Sequence, residues 1–154
     1  MPAVKAIPEG FGTITPHIVV KGARKAIDFY KKAFGAEELG THALPDGTVM
    51  HALLRIGDSM LMLNDEFPQM GAKGPQSIGG TPVTLHLFVQ DVDRAFDRAL
   101  QAGAKTVMPV ADQFWGDRYG LLADPFGHQW SIATHKRDVT PEEIQKAMAS
   151  MPKS

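Results

Sequence analysis

The feature that most constrains this fold is an internal repeat. The pattern of the stretch from Thr13 to Gly35 returns in the stretch from Thr81 to Gly103. Three pairs of residues share one offset of 69 positions (86 − 17), namely Thr15 with Thr84, His17 with His86, and Val20 with Val89. Similarity to itself at a fixed offset is typical of a duplicated supersecondary unit. The chain is therefore predicted to contain two equivalent halves.

Each copy begins as a strand and continues as a helix. Two sets of side chains alternate from Thr13 to Val20 and from Val83 to Gln90, which is the period of a strand with two unlike faces. Apolar residues then recur at helical spacing. Each helix ends at a glycine, Gly35 or Gly103, which suits a left-handed C-terminal cap. Asp91 is placed to cap the start of the second helix.

Three more strands follow the helix in each half. They are predicted at residues 37–44, 48–56 and 59–64, and again at 105–110, 117–123 and 128–134. Glycine, proline and aspartate turns separate them, as at Pro45-Asp46-Gly47 and at Asp124-Pro125-Phe126-Gly127. His128 and His135 flank the last strand and are predicted to be exposed. This order predicts an α+β protein made of two tandem βαβββ modules.

The remaining segments give the domain plan. Residues 1–12 are predicted to form an extended N-terminal arm, and residues 13–135 one domain. In that domain module one covers 13–65, a Gly- and Pro-rich linker that is a candidate lid covers 66–80, and module two covers 81–135. Residues 136–154 form a C-terminal tail, whose helix starts at Thr140. Its apolar stripe needs a covering surface in this chain or in a second subunit: Ile144, Ala147, Met148 and Met151.

The composition narrows the class of protein. A chain of 154 residues, 44% hydrophobic and 21% charged, is long enough for one globular domain with a real core. A net charge of −1 gives no basic surface for nucleic acid, and no apolar run is long enough to cross a membrane. The chain has no cysteine and no signal-like start, so we expect a cytoplasmic protein without disulfides or thiolate metal sites.

Three stretches carry a resemblance to a known family. They are VVKGARKAIDFYKKAFG, LHLFVQDVDRAFDRALQAGA and LLADPFGHQW, in this order. The chain resembles the vicinal oxygen chelate superfamily from Thr13 to His135. It looks most like the bacterial glyoxalase/bleomycin-resistance-like proteins, in a superfamily that also contains extradiol dioxygenases. The resemblance implies two βαβββ modules in a cupped mixed sheet, a homodimer, and a small-molecule site on the concave face.

The resemblance also gives a test for a metal. In metal-dependent members, the first and last strands of each module supply His and Glu ligands. The corresponding positions here are Thr15, Thr84, Met62 and Ser131, none of which is His or Glu. We therefore predict no metal and no other cofactor. His17 and His86 lie two residues further along, on the same face, and remain alternative ligands, although no acid obviously joins them.

Other side chains are candidates for ligand contact. His51 alternates with Val49 and Leu53, so it faces either the cavity or solvent. Trp115 and Arg118 suit a planar or anionic ligand, unless Arg118 pairs with Asp117 or holds its loop. The predicted ligand-binding set is Thr15, His17, His51, Met62, Thr84, His86, Trp115, Arg118 and Ser131.

Two functions follow from these residues. The first is a metal-free protein that sequesters or processes a small organic compound in the cleft of a dimer, as bleomycin-resistance proteins do. The second is an enzyme of glyoxalase, isomerase or dioxygenase type that uses His17 or His86 as a ligand or general base. A relative that shares only the fold and binds an ordinary metabolite is a third possibility.

Overall fold

Each half has the predicted order of strand, helix and three strands. The computed structural model describes residues 3–153, so residues 1 and 2 of the predicted arm and residue 154 of the predicted tail lie outside the described part. The first half contains β1 (His17–Val20), α1 (Ala23–Phe34), β2 (Glu37–Ala43), β3 (Val49–Ile56) and β4 (Ser59–Asp65). A 3₁₀ turn (Pro68–Met70) and α2 (Pro75–Ile78) follow. The second half contains β5 (Thr84–Phe88), α3 (Val92–Ala102), β6 (Lys105–Asp112), β7 (Asp117–Ala123) and β8 (Gln129–His135), and α4 (Pro141–Ala149) lies in the tail.

The strands form two mixed sheets of the same topology. Sheet 1 has the order β1-β4-β3-β2 and sheet 2 the order β5-β8-β7-β6. In each sheet the first and last strands of the module are parallel, and the other pairs are antiparallel. His17 is in register with Met62, and His86 with Ser131. The predicted α+β fold of two βαβββ modules is confirmed.

Both first strands start later than the alternating pattern predicts. β1 begins at His17 rather than Thr13, and β5 begins at Thr84 rather than Val83. Pro16 directly precedes β1, and proline has no N–H to donate to a strand ladder. In the second module Pro82 lies two residues before β5. The carbonyl of Pro16 still accepts a hydrogen bond from Met62 N at 2.9 Å.

A buried carboxylate joins the two modules. Helices α1 and α3 pack against each other, and beside them Tyr30 of module one donates its hydroxyl to Asp124 Oδ2 of module two at 2.6 Å. Trp130 Nε1 donates to the same oxygen at 2.9 Å. Asp124 Oδ1 accepts the backbone N–H groups of Phe126 and His128 at 2.9 and 3.0 Å. The carboxylate is therefore fully paired although it is buried.

The prediction that His128 is exposed is wrong. Its side chain is buried, because its Nε2 lies 2.9 Å from the carbonyl oxygen of Val19 in module one. This contact spans the joint between the modules, so it could not be seen from the neighbours of His128 in the sequence.

Asp65 holds the start of α1. Its Oδ1 accepts the N–H groups of Gly22 and Ala23 at 3.1 and 2.7 Å, and its Oδ2 accepts that of Val49 at 2.7 Å. A carboxylate at this end of a helix satisfies free N–H groups and opposes the positive end of the helix dipole. One side chain at the end of β4 therefore fixes both α1 and β3.

The predicted linker is fastened to both modules. Gly74 lies so close to β1 that a Cβ there would be 2.8 Å from Val19 O. Pro75 is buried, and Gln76 Nε2 donates to Pro125 O of module two at 3.2 Å. These contacts make the segment a brace between the modules.

The tail helix has little contact with the rest of the chain. Thr140 caps α4 by accepting Glu143 N at 3.2 Å, but no residue of α4 is buried. Met148 and Met151 of the predicted apolar stripe are about half exposed. Within residues 3–153, no helix is long and apolar enough to cross a membrane.

Candidate ligand site

A histidine pair lies on the face of sheet 1 that points away from α1. His17 Nε2 is 2.6 Å from Asn64 Oδ1, and the amide of Asn64 is oriented by a second bond from its Nδ2 to Asp65 O at 2.7 Å. Because an amide oxygen only accepts, His17 carries its proton on Nε2. The ring of His51 meets that of His17 edge to face, with 5.8 Å between ring centroids. Met62 is next to this pair, opposite His17 in the register of β1 and β4.

A second histidine lies on the corresponding face of sheet 2. His86 Nδ1 is hydrogen-bonded to Ser131 Oγ at 2.6 Å, across the β5–β8 ladder. The imidazole stacks on Tyr119 with 5.9 Å between centroids, and its edge contacts Phe88 at 4.6 Å. Trp115 meets Tyr119 edge to face at 5.6 Å. We call this set of five residues the His86 face.

The surroundings of His86 and His51 favour the neutral form of each ring. Burial lowers the pKa of His86 below its ordinary value, and Asp117 opposes that shift only in part. The pKa of His51 is also lowered, by burial first and then by the nearby His17 and His42. A neutral imidazole keeps a free lone pair, so it can accept a proton or a hydrogen bond near pH 7.

Two grooves meet at His86. The smaller, of about 390 Å³, is lined by Thr15, Thr84 and His86 together with the core residue Trp130. The larger, of about 740 Å³, runs past Phe88 to the polar side chains of α3. Three of the predicted residues therefore share one groove between the modules, with His86 bordering both spaces.

Arg118 lies on the other side of sheet 2. Its guanidinium forms a bidentate pair with Asp93 of α3, at 2.8 and 2.9 Å, and a third contact with Asp112 at 3.3 Å. Hydrogen bonds to these two carboxylates raise the pKa of Arg118 above its ordinary value. Asp117, the alternative partner weighed for Arg118, bonds instead to His135 and Trp115. The predicted set is thus divided among the sheet 1 face, the His86 face with its grooves, and the helix side of sheet 2.

The donors do not fit the metal site that the resemblance suggests. Within residues 3–153, no group of three or more His, Asp or Glu side chains is arranged so that it could hold a metal ion. At the four strand positions the available donors are two threonine hydroxyls, a methionine sulfur and a serine hydroxyl, and Ser131 already binds His86. His17 likewise has a neutral amide as its partner. Divalent zinc and nickel prefer imidazole with carboxylate or thiolate, so these residues do not fit such a metal site.

Some residues of these faces were not among the predicted ligand contacts. Phe88 and Tyr119 complete the aromatic surround of His86, and Asn64 orients His17. The alternation along β5 places Phe88 on the same side as His86. Parallel pairing of the first and last strands brings Asn64 next to His17, and that pairing was available only through the resemblance.

Comparison with known proteins agrees with this architecture. An uncharacterised protein of Mycobacterium tuberculosis is 57% identical over 140 residues, which is 89% of this chain and 82% of the relative. Protein YjdN of Escherichia coli is 30% identical over 151 residues, covering 82% of this chain and 98% of the relative.

Solved structures have the same fold. TioX from Micromonospora sp. superposes with a TM-score of 0.65 at 29% identity, over 80% of this chain and 98% of TioX. The fosfomycin resistance protein FosX from Mesorhizobium loti superposes with a TM-score of 0.58 at 16% identity, over 87% of this chain and 97% of FosX. The sequence profile of one superfamily matches residues 10–132. The chain belongs to the Glyoxalase/Bleomycin resistance protein/Dioxygenase superfamily.

Proposed function

We propose that this protein binds a small, planar organic molecule at the His86 face without the help of a metal ion. The observation that carries the proposal is the setting of His86. Ser131 occupies one ring nitrogen, aromatic rings surround the imidazole, and two grooves open beside it. Nε2 then remains available to a polar group of the ligand.

The chemistry of the face favours an aromatic or conjugated ligand. Phe88 is 67% exposed, which is unusual for a phenylalanine and leaves its ring free to pack on a flat surface. A favourable aromatic pair contributes about 0.5–1.5 kcal/mol beyond the area it buries. The neutral His86 adds one directional hydrogen bond, so the face selects a planar molecule with a polar edge. Arg118 would have to leave both of its carboxylates to bind a ligand, so we place it outside the contact set.

We also propose that a second copy of this chain covers the site. Both histidine faces and the grooves are open to solvent in the single chain. Large apolar side chains are exposed around them and on α4, including Ile14, Val83 and Met148. Such surfaces mark interaction sites more often than chance. A homodimer would turn an open face into a cleft in which the ligand is sequestered.

An enzymatic role is the second candidate. The hydrogen bond that orients His86 would also suit a general base: with the Nδ1 proton donated to Ser131 Oγ, Nε2 keeps its lone pair, and the lowered pKa keeps the imidazole in its basic form. In this alternative the bound molecule is altered by proton transfer rather than stored. Metal-independent turnover of an α-keto or enolisable substrate that is lost in His86→Gln would favour it.

The binding proposal is tested by calorimetry with bleomycin and with salicylate as a planar anionic probe. We expect binding of at least one probe by the wild type, without added metal and with no metal in elemental analysis. His86→Ala should weaken it about tenfold, which corresponds to roughly 1.4 kcal/mol for one hydrogen bond and part of a ring contact.

His42→Ala is the matched control, because His42 is an exposed histidine of sheet 1. Equal affinity in wild type and His86→Ala would contradict the proposed role of this face. One tightly bound metal per chain would contradict metal-free binding.

A further inference from the structure

His135 at the end of β8 lies between two carboxylates. Its Nδ1 is 2.7 Å from Asp117 Oδ1, and its Nε2 is 2.7 Å from Asp138 Oδ1. Ionised carboxylates only accept hydrogen bonds, so both ring nitrogens must donate. Only the protonated imidazolium has two N–H groups. The geometry therefore requires a charged histidine.

The two carboxylates differ in how strongly they are held. Asp117 is buried and also accepts the indole N–H of Trp115 at 3.1 Å. Asp138 is fully exposed and lies in the tail. If His135 loses a proton, one N–H remains for two acceptors. It should stay with Asp117, because a buried carboxylate that loses a donor is penalised more than one in water. Asp138 then faces a lone pair and is released.

Two backbone hydrogen bonds next to His135 also join the tail to the turn that carries Trp115. The N–H groups of Lys136 and Arg137 both donate to Gly116 O, at 2.9 and 3.1 Å. Gly116 has φ +102°, and a Cβ there would lie 2.1 Å from Arg137 O, so only glycine permits this approach. Trp115 contacts Tyr119, on which His86 stacks. A groove of about 410 Å³ is lined by both Phe88 and His135.

We propose that His135 is a proton-operated clamp that fastens the tail segment 136–140 to the Trp115 turn and thereby regulates the His86 face. The clamp follows from the contacts of His135 alone, and only its effect on a ligand rests on the proposed function. Charged and titratable groups from four parts of the chain contact His135 or adjoin its partners. They are Asp117 and Arg118 on β7, Lys136 and Asp138 in the tail, Asp93 on α3, and His86 on β5.

The direction of the pH effect follows from the pKa of His135. The hydrogen bonds that His135 donates, first to Asp117 and then to Asp138, raise that pKa above its ordinary value of 6.5. A histidine whose pKa is raised by folding stabilises the folded arrangement most below its unfolded pKa. The clamp is therefore complete in acid, and it is lost as the pH rises through the raised pKa.

Amide hydrogen exchange measured by mass spectrometry tests the clamp without any ligand. The full-length protein is compared between about pH 6 and about pH 9, the range in which a histidine with a raised pKa titrates. Exchange rates are corrected for their intrinsic pH dependence. The reporter is the peptide that contains Lys136 and Arg137, whose amides bond to Gly116 O.

We expect this peptide to lose protection in the wild type as the pH rises across this range. In Asp138→Asn the fall should occur at lower pH, because one carboxylate no longer raises the pKa. In His135→Gln protection should be low and independent of pH. Asp58→Asn, in the exposed turn between β3 and β4, and His42→Gln, at an exposed position of β2, are the matched controls and should behave as wild type.

The results also separate the clamp from the binding proposal. Protection that is independent of pH in the wild type, or unchanged in His135→Gln, would overturn the clamp whatever the outcome of the calorimetry. A pH-dependent tail in a protein that binds neither probe would retain the clamp and count against the proposed function.

Discussion

Replacing Tyr30 by phenylalanine removes one hydroxyl from the joint between the modules. Tyr30 is fully buried, and its hydroxyl donates to the buried Asp124 at 2.6 Å. A hydrogen bond to a charged group contributes about 1.5–3 kcal/mol to stability. Asp124 keeps three other donors, from Trp130 and two backbone amides, so it is not left unpaired. We therefore expect Tyr30→Phe to lower the free energy of unfolding by about 2 kcal/mol.

The assay is urea unfolding at pH 7 followed by circular dichroism, at one fixed protein concentration because a dimer would add to apparent stability. The expected loss corresponds to a fall in Tm of about 4–8 °C for a chain of this length. Tyr119→Phe is the matched control, because Tyr30 and Tyr119 are the two tyrosines of the chain. No hydrogen bond from the Tyr119 hydroxyl is present within residues 3–153, so its loss should stay below about 0.5 kcal/mol. If Tyr30→Phe lowers the free energy of unfolding as little as Tyr119→Phe does, the hydrogen bond from Tyr30 to Asp124 contributes no measurable stability to the joint between the modules.

High pH provides a second check on the same residue. Burial, followed by the charge of Asp124, raises the pKa of Tyr30 well above its ordinary value of 10.0. The folded state therefore holds this proton more tightly than the unfolded chain does, and wild-type stability should fall as the pH rises above about 10. Tyr30→Phe has no such proton, so its stability difference from the wild type should shrink in that range. A constant difference would contradict burial of the hydroxyl beside the carboxylate.

Two further changes test the ends of helices. Asp65→Ala should lower the free energy of unfolding by about 2–3 kcal/mol in urea titrations, because Gly22, Ala23 and Val49 each lose an acceptor for their N–H groups. A loss below about 0.5 kcal/mol would mean that water replaces the carboxylate as acceptor. Removing residues 140–154 should weaken the proposed homodimer, since the apolar side of α4 is left uncovered by its own chain. An unchanged dimer dissociation constant in sedimentation equilibrium would show that α4 does not lie at the interface.

The architecture was predictable because its determinants are local and occur twice. Alternation, helical spacing and the glycines at 35 and 103 identify each βαβββ unit without any knowledge of the rest of the chain. The errors arose where one residue overrides a pattern. Pro16 precedes the late start of β1 despite the alternation around it. His128 is buried beside a carbonyl more than one hundred residues away in the sequence.

The candidate site was less predictable because its contacts are not local. The offset of 69 positions (86 − 17) pairs His17 with His86, and the two residues lie on the equivalent strands β1 and β5. Their partners are unlike, however, an amide in one module and a hydroxyl in the other. Pairing of Arg118 with Asp93 depends on how α3 crosses sheet 2, which no spacing in the sequence specifies. The roles of these residues in ligand binding remain predictions.

The separation of the two sheets has a consequence for how such a protein can diversify. Every strand ladder closes within its own module, and the modules are joined by side chains of their helices, turns and linker. A substitution on the face of one sheet therefore leaves the strand register of the other sheet unchanged. The effects on stability of two substitutions that are far apart and share no contacts are additive. A duplicated unit can in this way keep one stable frame while its two faces acquire different chemistry, as the amide-paired His17 and the aromatic-flanked His86 already illustrate.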